Sequence, residues 1–189
     1  MISARGLWIW NGLRIFFLSV VLIGSSVSLA SGEEGGGLKW GFSFGAGQPQ
    51  KSKHSLNLWT FFPRLDVPVA KNWDVEFEGN AAYYDISRTK NLYVLGVNTN
   101  ILFKAHRWEG GEFFLLGGAG LGYDNNGSGK VPKMGDSHVA GVLQCGSGIL
   151  YRVGQQLWLR GEYRFYHISD PFHKDGGINT HNVLMGVSF

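Results

Sequence analysis

His167 and Ser169 stand two residues apart in the stretch RFYHISDPF, Arg164 to Phe172. A neutral histidine can take the proton of a serine hydroxyl as its oxygen attacks an ester carbonyl, while a third polar group holds the imidazole in the required tautomer. In an extended segment a spacing of two puts both side chains on one face, and here that face also carries Leu157, Leu159, Tyr163 and Phe165. A polar pair with the groups for acyl-ester chemistry therefore points the same way as the most apolar residues of its strand.

The elements that would position this pair recur along the chain. In WDVEFEGNAAYY, Trp73, Val75, Phe77, Ala81 and Tyr83 fall on one face and Asp74, Glu76, Glu78 and Asn80 on the other. In LYVLGVNTNILFK the odd positions from Tyr93 to Phe103 form the apolar row, against Asn98, Asn100 and Lys104. The stretch QLWLRGEYRFYHIS opposes its apolar row with Trp158, Arg160, Glu162, Arg164 and Tyr166. LKWGFSFGAG, HSLNLWTFFPRL, GEFFLLGGAGLGYD and HVAGVLQCGSGILYRV are also extended, and NTHNVLMGVSF closes the chain with His181, Val183, Met185, Val187 and Phe189 on one side.

These eight segments, each of about ten residues, have the length that a tilted strand needs to cross a bilayer. The charges on the second face are too many for the core of a soluble β-sandwich but suit a lumen where opposite signs pair. Aromatics sit at the ends of the apolar rows, and the last residue is Phe189. The expected fold is all-β, an eight-stranded antiparallel transmembrane β-barrel.

The first thirty residues carry Arg5 and Arg14, then the apolar run Ile15 to Gly24, then SSVSLA, which reads as a secretory signal peptide cut after Ala30. Residues 31–189 are then the barrel domain. Removing the two arginines from 17 basic residues leaves 15 against 14 acids, so no nucleic-acid partner is implied. The single cysteine, Cys145, forms no intrachain disulfide and reads as a strand residue. GGAGLG at Gly117 to Gly122 is followed by turn residues rather than a helix, so it is not a dinucleotide fingerprint. His167, His173 and His181 lack a ligand spacing, so no metal or other cofactor is called for.

With both termini on the periplasmic side, odd-numbered strands run outward, short turns lie inside and longer loops outside. RVGQQ fits a short turn, YDNNGSGKVPKMGDS and DPFHKDGGI fit loops, and DVPVAKN makes a long turn. The seventh strand then carries His167 and Ser169 to the outer-leaflet edge, facing lipid. A hairpin centred near Pro171 to Gly177 places Asn179 and His181 roughly opposite Ser169 and His167, on the same outer face.

The strand end YHIS, followed by GGIN and the closing VLMGVSF, resembles the lipid A 3-O-deacylase, or acyloxyacyl hydrolase (PagL), family of outer-membrane enzymes. The resemblance is sharp over Arg164 to Phe189 and architectural elsewhere. It implies an eight-stranded barrel that removes an acyl chain from the lipid A of lipopolysaccharide, with Ser169 as nucleophile and His167 as general base. Asn179 matches the position of the family's orienting acid, with His181 and Asp170 as alternative third members. The family has Asn after the serine, followed by a small residue; here Asp170 and Pro171 stand there, and proline has no N–H to donate to an oxyanion. That departure keeps a second class in view, a non-enzymatic structural or adhesive barrel, or a member that has lost activity.

Overall fold

The structure is a computed structural model in which residues 37–50, 56–86, 91–125, 137–171 and 177–189 are described. The expected signal peptide, residues 1–30, and His173 lie outside the described residues. Among the described residues the chain forms β1 (Lys39–Pro49), β2 (Leu56–Ala70), β3 (Trp73–Ile86), β4 (Leu92–Trp108), β5 (Gly111–Asp124), β6 (Val139–Arg152), β7 (Trp158–Ser169) and β8 (Ile178–Ser188). Each strand pairs antiparallel with its sequence neighbours, and β8 pairs with β1 to close the barrel. Closure leaves no sheet edge unpaired, as a membrane-spanning sheet requires.

The pairing of Gly41 with Ser188 brings the start of β1 and the end of β8 to the same end of the barrel. That end also carries the connections 71–72, 109–110 and 153–157, while the other carries 50–55, 87–91, 125–138 and 170–177. The difference in length is the one expected between periplasmic turns and external loops. One expected turn is shorter than the sequence suggested. Most of DVPVAKN is strand, because β2 continues through Pro63 and Pro68 to Ala70, with a register shift between Pro68 and Ala70. The shift accommodates a residue that cannot donate to the ladder and leaves Lys71 and Asn72 as the turn.

Alternation sorts the side chains as expected. Inward, Arg160, Arg164, Glu76 and Glu78 are buried at 1% exposure or less. Arg164 donates to Glu78 at 2.7 Å, to Glu162 at 3.0 Å and to Gln144 Oε1 at 3.0 Å. Arg160 donates to Glu76 at 2.5 Å and to Glu162 at 3.0 Å. Asn98 and Gln144 each donate to Glu78 at 3.0 Å, and Asn100 donates to Glu76 at 2.7 Å. Lys104 pairs with Asp74. Removing ions from water costs several kcal/mol each, so such charges persist only where partners of this density surround them. Two glycines of GGAGLG serve this layer. A Cβ on Gly118 or Gly120 would fall 1.9 or 2.1 Å from the Asn100 or Asn98 Oδ1, so their bare backbone leaves room for the two amides that bind Glu76 and Glu78.

The lumen is not polar throughout. Leu58, Tyr84, Leu92, Val94, Val142 and Ile168 pack into a buried cluster toward the long-loop end, and Leu102, Phe114, Leu116 and Leu150 form a second cluster toward the short-turn end. Charges interleave with both clusters: Asp74 pairs with Leu102, Glu112 with Leu150 and Asp124 with Val94 in the ladders, and the Arg160 and Arg164 guanidinium groups lie 4.6 and 4.9 Å from the ring centres of Phe114 and Phe62. The interior is a packed core, as small barrels require.

Outward, Leu95, Val97, Ile101, Leu115, Leu121, Leu143, Ile149, Val183 and Met185 form an exposed apolar wall. Exposed Trp59, Tyr93 and Tyr123 ring it toward the long loops, and Trp40, Trp73, Trp108 and Tyr151 ring it toward the short turns. An apolar band between two aromatic girdles is the surface a bilayer covers. Cys145 is exposed on this wall rather than packed inside.

Candidate active site

His167 and Ser169 sit on the outer wall at the long-loop end of β7, both half-buried. On the β6 side they face Leu143 and Gly141, respectively. Gly141 brings no side chain, and the space a Cβ there would take is bordered by the Ser169 carbonyl oxygen at 3.5 Å and by the Pro171 ring at 3.7 Å. On the β8 side His167 pairs with Asn179, and Phe165 pairs with His181.

This register differs from the expected one by two residues, one rung along the hairpin. A shift of two preserves the face that each side chain occupies, so all four residues remain on the wall. Their partners change. Asn179 lies directly opposite His167, and His167 Nδ1 is 2.5 Å from Asn179 Oδ1. An amide oxygen accepts, so Nδ1 carries the proton and Nε2 keeps its lone pair. His181 moves one rung down the wall, where its Nδ1 is 2.5 Å from the Tyr163 hydroxyl and its ring stacks on Tyr163. Asp170 is 3% exposed, so it is buried rather than set beside Ser169 on the wall. Of the three third-member candidates, Asn179 is the one in contact with His167.

Gly177 closes the hairpin with φ of 62°. The left-handed region favours glycine, and the surroundings admit nothing larger. A Cβ at Gly177 would lie 2.3 Å from the Ile168 carbonyl oxygen, 2.8 Å from His167 Cε1 and 2.9 Å from Ser169 Cβ. The His167 ring and the Ser169 side chain therefore converge on one point beside the Gly177 backbone. Sequence reasoning missed this residue as part of the site, although a Gly pair immediately before a strand is a turn signal. It also missed Tyr163 as the partner of His181. Among the described residues, no group of three or more His, Cys, Asp or Glu side chains is placed to hold a metal ion.

No curated protein sequence matches the chain. Among solved structures, the outer membrane enzyme PagL superposes with a TM-score of 0.60 at 11% identity, over 77% of this chain and 97% of that one. Neisserial surface protein A (NspA) superposes with a TM-score of 0.51 at 9% identity, over 80% of this chain and 94% of that one. At such identities the likeness is one of fold. The outer membrane protein beta-barrel domain family matches residues 16–189, nearly the whole sequence, and the chain belongs to that family of outer-membrane barrels.

Proposed function

We propose that this outer-membrane barrel is a lipid A 3-O-deacylase of the serine-esterase type. The observation that carries the reading is the contact of His167 Nδ1 with Asn179 Oδ1 at 2.5 Å on the lipid-facing wall, on the same face as Ser169. With Nδ1 donating to Asn179, Nε2 is the base. It takes the Ser169 proton as Oγ attacks the acyl carbonyl at the 3-position. It then returns the proton to the sugar oxygen as the ester C–O bond breaks. Water, activated by the same nitrogen, hydrolyses the acyl-serine and releases the fatty acid.

Two features support a site that is usable rather than decorative. Gly141 puts no side chain of its own beside Ser169, and Gly177 keeps side-chain atoms out of the point on which His167 and Ser169 converge. A polar cluster at this depth, facing outward near the long loops, meets the leaflet whose ester-bearing lipid is lipopolysaccharide.

Asp170 and Pro171 favour the second reading, a barrel without this activity, since Pro171 supplies no N–H to an oxyanion. Mass spectrometry of lipid A separates the two. Cells expressing the wild-type chain should lose one hydroxyacyl chain from lipid A, and cells expressing Ser169→Ala should not. Unchanged lipid A beside correctly folded wild-type protein would support the second reading.

A further inference from the structure

The wall beyond β8, away from Ser169, is not smooth. On one rung of outward side chains Ala46 lies between Val183 and Trp59; on the next rung down, Ala81 lies between Phe61 and Leu95. The two alanines form the floor and their larger neighbours the sides of an apolar groove of about 810 Å³. This volume is within the range of small-molecule sites, roughly 300–1,000 Å³. The rung above the groove is polar. Gln48 pairs with His181, and these two residues with Asn57 line a smaller hollow of about 380 Å³ that opens into the groove beside Ala46 and Trp59.

We propose that this groove holds an acyl chain, other than the one being cleaved, of the same multiply acylated glycolipid whose ester is presented to Ser169. The lipid's headgroup would lie along Asn57, Gln48 and His181. The link to Ser169 rests on the esterase reading; occupation of the groove by a lipid chain does not. The groove lies in the apolar band of an outer-membrane barrel, so its occupant is a lipid chain, and its depth selects which one. Apolar surface gives no hydrophobic drive within a bilayer, so selection comes from close packing and from polar groups at the headgroup. A chain sunk between Trp59 and Val183 touches protein on more sides than one lying against flat wall. The polar rung also continues to the candidate site, because His181 is two residues from Asn179 on the same face of β8. From β7 to β2 is three strand spacings, roughly 14 Å, and from the rung of Ser169 down to that of Ala46 is six residues along the strands, roughly 20 Å, so the polar rung of His181, Gln48 and Asn57 lies between the two along the strands.

Ala81→Trp and Ala46→Trp fill the floor of the groove from the lipid side without entering the lumen, and Ile101→Trp adds the same bulk to exposed wall elsewhere. Each full-length barrel is first checked for the electrophoretic shift of a folded barrel on heating. Two rates are then compared, for hexa-acylated lipid A and for a single-chain ester, p-nitrophenyl decanoate. Filling the groove should slow lipid A turnover by about tenfold, as expected when a remote binding contact is removed. It should leave the single-chain ester within about twofold, and Ile101→Trp should change neither. Equal slowing of both substrates, or of neither, overturns the inference. If the wild type and Ser169→Ala turn over neither substrate, the esterase reading is what fails, and the groove is judged by lipid retention instead. Lipid A recovered with the barrel purified in mild detergent should then fall for both groove variants and not for Ile101→Trp; unchanged recovery overturns it.

Discussion

The lumen and the outer wall of this barrel both carry polar side chains on the same strands, in alternate positions, yet they use them differently. On β7, Arg160, Glu162 and Arg164 point inward into a network in which each has more than one ionic or hydrogen-bonding partner. Tyr163, His167 and Ser169 point outward from the same strand, where, among the described residues, Tyr163 and His167 pair across to β8. The inward groups share several partners each and hold the barrel together, although Arg160 Nε itself has no hydrogen-bond partner among the described residues. The outward ones are held from one side and remain reachable from lipid, which is the condition chemistry needs.

This contrast should break most visibly when a lumen charge is removed. Arg164→Met leaves Glu78, Glu162 and Gln144 facing a group that cannot donate, and breaking a buried pair in this way costs about 3–5 kcal/mol. The urea midpoint of the barrel refolded into phospholipid vesicles should fall accordingly. The reverse change, a charge placed on the wall, should cost somewhat less. Met185→Arg puts a guanidinium on an exposed position of the apolar band, at about 2–4 kcal/mol depending on depth. The same refolding measurement reads it, and a value near zero would place Met185 outside the band.

The smallest expected effect sharpens the comparison on the wall itself. Asn179→Asp keeps the acceptor for His167 Nδ1–H and, in the proposed esterase step, adds a negative charge that would stabilise an imidazolium formed as Ser169 loses its proton. Hydrolysis of lipid A should rise by about tenfold, or 1.4 kcal/mol in the barrier, with no matching gain in folding stability. A stability gain without a rate gain would assign Asn179 to the fold rather than to the chemistry.

Much of this was legible in the sequence because a period of two is unambiguous wherever one face is charged. β3 and β7 show it, and the segment read for β5, Gly111 to Asp124, is the strand observed. In the run from Leu92 to Val97 both faces are apolar, and the inward turn of Leu92 and Val94 follows only by extending the parity that Asn98, Asn100 and Lys104 set. The reading failed at Pro68, where DVPVAKN suggested a turn that β2 and a register shift instead absorb. The candidate cluster was legible to within one rung. Faces survive a shift of two residues, but partners do not, and the partner of His167 depended on how Gly177 closes the hairpin, which spacing alone does not determine.

The account turns on Ser169 being a nucleophile that His167 activates on the outer wall. Treating the folded barrel in detergent micelles with a long-chain alkyl fluorophosphonate tests this without any choice of lipid. Oγ attacks phosphorus, fluoride leaves, and the Ser169 peptide gains the phosphonyl mass in intact-peptide spectrometry. The account predicts labelling of Ser169 in the wild type, loss of it in His167→Ala, and Asn179→Ala between the two. An unlabelled Ser169 in a folded wild-type barrel, or labelling indifferent to His167, would contradict it.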